Sequence, residues 1–173
     1  MQEKTLARVL RAHAARLAPG HRMAWASALY AYSEYRWGEE EVGGADCSGL
    51  VCGALRLLGY PLRVNADELY RRWSLRIEGR SAVPGDLAFW WGAGEDAERI
   101  THVAVFVAPS LLVNATPPEA RFDHVLDEVE RRRAQKIEGR TLNWEALDEL
   151  RRGSGRMFGT GRTWESLRGV LDE

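Results

Sequence analysis

The spacing of apolar residues changes character along the chain. Between residues 5 and 18, Leu6, Val9, Leu10, His13 and Leu17 recur at helical intervals, which predicts a helix ended by Pro19-Gly20. A second helical stretch, roughly Met23 to Tyr35, is rich in Ala, Tyr and Trp and closes near Gly38. Glu39 to Glu41 and Gly43-Gly44 predict a loop. Leu50, Val51, Ala54, Leu55 and Leu58 then make an apolar stripe on a helix stopped by Gly59. NADELYRRW, residues 65–73, predicts a short helix with Asn65 as its N-cap.

From Val83 the pattern becomes that of strands. VPGDLAFWW opens with a Pro-Gly turn and runs on as an apolar strand. HVAVFVA, 102–108, reads as a buried strand, with LLVNA, 111–115, as its hairpin partner across Pro109-Ser110. Thr116-Pro117-Pro118-Glu119 carries a helix-start signal, and Phe122, Val125, Leu126 and Val129 follow at helical spacing. Further helices are expected from Asn143 to Gly153 and from Thr163. Helices, a strand block and then helices predict an α+β protein: an N-terminal helical segment (1–21), a core (22–118) and a helical C-terminal extension (119–173).

The chain has 173 residues and a net charge of −1, which argues against a nucleic-acid or anionic-membrane surface. No apolar run reaches the ~18 residues of a membrane span. Lys4, Arg8, Arg11 and Arg16 interrupt any signal-peptide core, so a chain made in the cytosol is expected, with any export by another route or a missing leader.

Chemistry concentrates in GGADCSGLVCGALRLLGY, residues 43–60, which holds both cysteines. On a helix, Cys47 and Cys52 lie about 140° apart, too far around it to bridge. Cys52 falls on the apolar stripe and reads as core. Cys47 sits where a Gly-rich loop enters the helix, so the dipole favours its thiolate. That effect is only about 0.3–1 kcal/mol, less than one pKa unit, so a nucleophilic Cys47 needs an imidazole partner. Of His13, His21, His102 and His124, His102 is the best placed, at the head of a strand. Asn114 is the polar residue in the paired strand that can orient the ring. Strand parity adds a condition. A plain two-residue turn at 109–110 would pair Asn114 with Val105 and face it away from His102, so an odd-length loop or a bulge is required, placing Asn114 opposite Ala104.

These residues resemble the NlpC-type papain-like cell-wall cysteine peptidases of bacteria and phages. The matching pieces are Tyr35-Arg36-Trp37-Gly38, Asp46-Cys47-Ser48-Gly49-Leu50-Val51, Pro84-Gly85-Asp86-Leu87-Ala88-Phe89 and His102-Val103-Ala104-Val105-Phe106, between residues 22 and about 116. The resemblance implies a nucleophile helix packed on an antiparallel sheet. It implies Cys47 as nucleophile, His102 as base and acid, Asn114 as the orienting group, and Tyr35, Asp46 and Ser48 as substrate contacts. It implies a peptidoglycan stem peptide as substrate, cut between D-glutamate and a diamino acid, with no cofactor or metal. Glu39 to Glu41 depart from the family pattern, where a second Gly commonly follows.

Other readings stand beside this one. Asp86 is expected to satisfy turn amides, Trp37, Trp90 and Trp91 to belong to the core, and Arg131 to Arg133 to line a solvated helix face. The same site on another amide gives an amidase or transpeptidase. The lack of a leader and of a wall-binding module favours a phage origin, and a phage tail or tail-assembly module would use the C-terminal helices for its partners.

Overall fold

The computed structural model describes residues 5, 8, 9, 11, 12, 15–133 and 135–157. Leu6, Leu10 and His13 of the first expected helix, and the helix expected from Thr163, lie outside the described residues. Pro19-Gly20 opens a helix, α1 (Pro19–Ala28), rather than closing one. Proline's fixed φ suits a first turn, where its missing N–H has no partner to lose. α1 also stops well short of Tyr35. Strand pairing claims the backbone there: Tyr32 N–H donates to the Ala120 carbonyl at 2.6 Å and Tyr35 N–H to that of Pro118 at 2.8 Å. Three two-residue strands follow, β1 (Glu34–Tyr35), β2 (Glu40–Glu41) and β3 (Gly44–Ala45), the last two within the expected loop.

The central helix is α2 (Cys47–Leu57), on the predicted stripe. Leu50, Val51, Leu55 and Leu57 are buried against Phe89, Val103 and Val105 of the sheet. Each such side chain contributes about 1.5–3 kcal/mol by leaving water. Gly49 and Gly53 let neighbours touch the helix backbone. A Cβ at Gly49 would lie 1.8 Å from the Glu39 carbonyl oxygen, and one at Gly53 would lie 2.1 Å from the Tyr30 hydroxyl. The segment before the helix is thereby seated directly on it.

α3 (Ala66–Arg72) has Asn65 as its cap, accepting from Glu68 N–H. β4 (Ser74–Arg76), β5 (Leu87–Trp91), β6 (Ile100–Ala108), β7 (Leu111–Thr116) and β8 (Glu119–His124) follow, then α4 (Val125–Arg131), β9 (Ile137–Leu142) and α5 (Trp144–Met157). The described strands form one nine-stranded sheet in the order β2-β3-β1-β8-β7-β6-β5-β9-β4, with only β1 and β3 parallel. The protein is thus α+β, with α2 packed on a mainly antiparallel sheet.

The stretch after residue 118, expected to be helical, is helical only in part. Residues 119–124 pair with the whole of β7, and β9 joins β5 to β4. The helical spacing that suggested otherwise marks an outward side: Phe122, Leu126 and Val129 are exposed. Asp86 takes the turn role expected of it, accepting from Val83 N–H at 2.8 Å. Trp90 is fully buried, Trp91 half-buried, and Trp37 is 85 % exposed, so Trp37 is not core. No helix among the described residues is long and apolar enough to cross a membrane.

Candidate active site

Asp46 caps α2 and fixes where the helix begins. Its Oδ1 accepts from Gly49 N–H at 2.6 Å and from the Ser48 hydroxyl at 3.0 Å, while Oδ2 accepts from Gly38 N–H at 2.8 Å. Cys47 is therefore the first helical residue, and its buried thiol lies near β6, where the backbone amides of Val103 and Ser48 act to favour the thiolate. Val103 directly follows His102, so the helix start and the histidine strand converge.

The register condition is met by a bulge. Val105 pairs with Val113 and Phe106 with Leu112, but Ala108 with Leu111, so Val107 is the extra residue. That places Asn114 opposite Ala104 and diagonal to His102. His102 Nε2 and Asn114 Oδ1 are 2.6 Å apart, and both side chains are buried. The Trp90 ring meets the imidazole edge-on, with centroids 5.2 Å apart.

Burial dominates the electrostatics. It pushes the Cys47 thiol up to about 11, helped by the Asp46 charge and opposed by the two backbone amides and Arg132. It lowers the His102 imidazole to about 3, and the positive charge of Arg132 acts in the same direction. Both surroundings therefore favour the neutral forms, thiol and imidazole, at neutral pH. Tyr35 stands beside them, its hydroxyl raised first by burial and then by the Cys47 and Asp46 charges.

Two residues beyond the sequence reading belong to this cluster. Asp123 accepts from Asn114 Nδ2 at 3.1 Å. Arg132, expected on a solvated face, instead lies with its guanidinium carbon 5.7 Å from the Trp90 ring centre and binds the fully buried Glu128. Its neighbour Arg131 bonds Asp123 and Glu128. Nothing in DEVERRR distinguishes these residues from a surface run, because the partners that turn them inward, Trp90 and Asp123, come from β5 and β8. Cys52 is core, as expected, with its thiol donating to the Val64 carbonyl at 3.4 Å.

On the α2 side opens a cleft of about 390 Å³, lined among others by Glu39, Glu40, Asp46, Ser48, Arg63 and Glu68. Glu40 is tied to Arg56 and Arg63 and Glu39 to Arg36, so ion pairs balance part of the acidic loop's charge.

The NlpC/P60 family model matches residues 32–138. Among curated proteins the sequence finds no match. Among solved structures, NlpC2 from Trichomonas vaginalis aligns at 20 % identity and a TM-score of 0.60, over 70 % of this chain and 45 % of that one. A lipoprotein-like NLP/P60 family protein from Staphylococcus aureus aligns at 23 % and 0.54, over 71 % and 41 %. The NlpC/p60 domain of the peptidoglycan hydrolase SagA aligns at 19 % and 0.53, over 69 % of this chain and 97 % of the domain. The aligned region thus spans less than half of the first two proteins, and at these identities the likeness is one of fold, the papain-like arrangement.

Proposed function

Because the chain belongs to the NlpC/P60 family, we propose that it is a cysteine peptidase acting on cell-wall peptide. The observation that carries this reading is the 2.6 Å contact between His102 and Asn114 where the Cys47 thiol lies near β6. The hydrolase named in the SagA structure supports the same reaction class.

In this reading His102 takes the Cys47 proton as sulfur attacks the scissile carbonyl, and backbone amides at the start of α2 stabilise the oxyanion. The C–N bond breaks as His102 returns the proton to the leaving amine, and water then cleaves the thioester. Because both groups rest neutral, the proton moves during attack rather than before it. Asn114 orients the ring and Tyr35 borders the reacting carbonyl.

The cleft suits the amine end of a short stem peptide. Asp46 already accepts three hydrogen bonds, which leaves about one acceptor site of the four on a carboxylate. An ammonium group fits there with the Ser48 hydroxyl beside it. The substrate proposed is L-alanyl-γ-D-glutamyl-diamino acid with a free N-terminus, cut after the glutamyl group. Acetylating the amine should lower kcat/KM at least tenfold, about 1.4 kcal/mol.

Digestion of purified peptidoglycan, with products identified by mass, tests the class. Release of fragments cut at the γ-D-glutamyl bond, absent with Cys47→Ala, is expected. Cleavage of a different amide would move the protein to the amidase or transpeptidase reading. No cleavage of peptidoglycan or stem peptide would turn it to the assembly-module reading.

A further inference from the structure

Behind Asn114 stands a carboxylate that the mechanism above leaves unused. Asp123 lies on β8, and its buried Oδ2 accepts from Asn114 Nδ2 at 3.1 Å. Arg131 donates to its Oδ1 at 3.2 Å, and Arg121 Nε lies 3.2 Å from both oxygens. Burial pushes this carboxyl up, but the hydrogen bonds from Arg131, Asn114 and Arg121 together outweigh it and hold it below its ordinary value. It is therefore ionised at neutral pH.

An asparagine side chain is chemically two-faced: rotating its amide by half a turn exchanges an acceptor for a donor. An ionised carboxylate is not, because it only accepts. With Asp123 on one side, Asn114 must turn its NH2 there and its oxygen toward His102. The imidazole must then carry its proton on Nε2, which leaves the Nδ1 lone pair free. We propose that Asp123 is a positioning residue which, through the amide of Asn114, sets the tautomer of His102 and keeps Nδ1 available as the proton acceptor for Cys47. The relay His102–Asn114–Asp123, anchored by Arg121 and Arg131, transmits an orientation and no proton. The role of Nδ1 rests on the peptidase reading; the tautomer can be observed without turnover.

The test is the imidazole 15N spectrum of labelled protein at about pH 7.5, with His102 identified by the signals lost in His102→Gln. Wild type should show the Nε2–H tautomer. In Asp123→Asn the two arginines claim the one remaining oxygen, so the new NH2 faces Asn114. The Asn114 amide must then turn over, and His102 should move to Nδ1–H. On the stem peptide kcat should fall about tenfold or more with KM within about twofold, as when a base is lost but binding is kept. Adding Asn114→Asp should restore Nε2–H, since a carboxylate at 114 accepts at both ends. A folded Asp123→Asn protein that keeps Nε2–H would overturn the proposal. So would an Nδ1–H imidazole in wild type, a result that needs no variant to fold. If the tautomer switches and recovers as described while wild type cleaves no peptide, the positioning role stands and the peptidase reading falls.

Discussion

Acidification should weaken the fold through His102, by an amount that follows from its surroundings. Burial, with the Arg132 charge second, lowers this imidazole from 6.5 to about 3. Above pH 6.5 the ring is neutral in both folded and unfolded chains and adds no pH dependence. Below that value the unfolded chain takes up a proton that the folded one refuses. Stability attributable to the ring is thus lost as pH falls from 6.5 toward 3. At pH 5 the loss is about 1.5 pH units at 1.4 kcal/mol each, or about 2 kcal/mol. For a chain of this length that corresponds to about 4–8 °C in Tm. His102→Gln keeps a hydrogen-bonding side chain toward Asn114 but does not titrate. Urea denaturation of both proteins at about pH 7.5 and pH 5 isolates the term as a difference of differences. Wild type should lose about 2 kcal/mol more than the variant. Equal losses would show that the ring is not held neutral and would refute the reasoning.

Cys47→Ala should abolish stem-peptide cleavage, by about a thousandfold or more, with Tm nearly unchanged in a thermal scan. The acid limb of kcat/KM should lie well below pH 6.5, because His102 stays neutral there; an inflection at its ordinary value, seen in rate measurements across pH, would contradict this. Arg132→Gln removes a positive charge that lowers both groups, so the His102 pKa followed by NMR should rise and alkylation of Cys47 at fixed pH should slow. Gly49→Ala drives a methyl group into the Glu39 carbonyl, and should cost about 3 kcal/mol in urea unfolding, with loss of the Asp46 cap.

The parts of the site encoded locally were legible in the sequence. α2, the Asn65 cap and the β5–β6–β7 block follow from short-range apolar spacing and turn chemistry, and parity alone required an odd-length loop or a bulge, which the structure supplies at Val107. What escaped depends on long-range pairing. Residues 119–124 alternate poorly because Asp123 is a charge turned inward, and its reason for being there, Asn114, lies nine positions away on another strand. β9 is obscured by its charged residues Glu138 and Arg140, which break any apolar alternation yet bond to each other and, through Glu138, to the Tyr70 hydroxyl. Arg132 was misplaced for the same reason: a charge run has no period that reveals which member turns toward a tryptophan.

The order of the sheet has a consequence for how the protein meets other chains. Its two outermost strands are β2, two residues long, and β4, three residues long. One carries two glutamates and the other ends in arginine, and Glu40 is clamped by Arg56 and Arg63. Exposed strand edges invite pairing with foreign backbones, and brevity and charge are the usual defences. A nine-stranded sheet terminated in this way offers little template for edge-to-edge aggregation. Among the described residues, an extended peptide arriving at the surface meets only these short, charged edges, and side-chain contacts rather than a backbone ladder must decide what the protein holds.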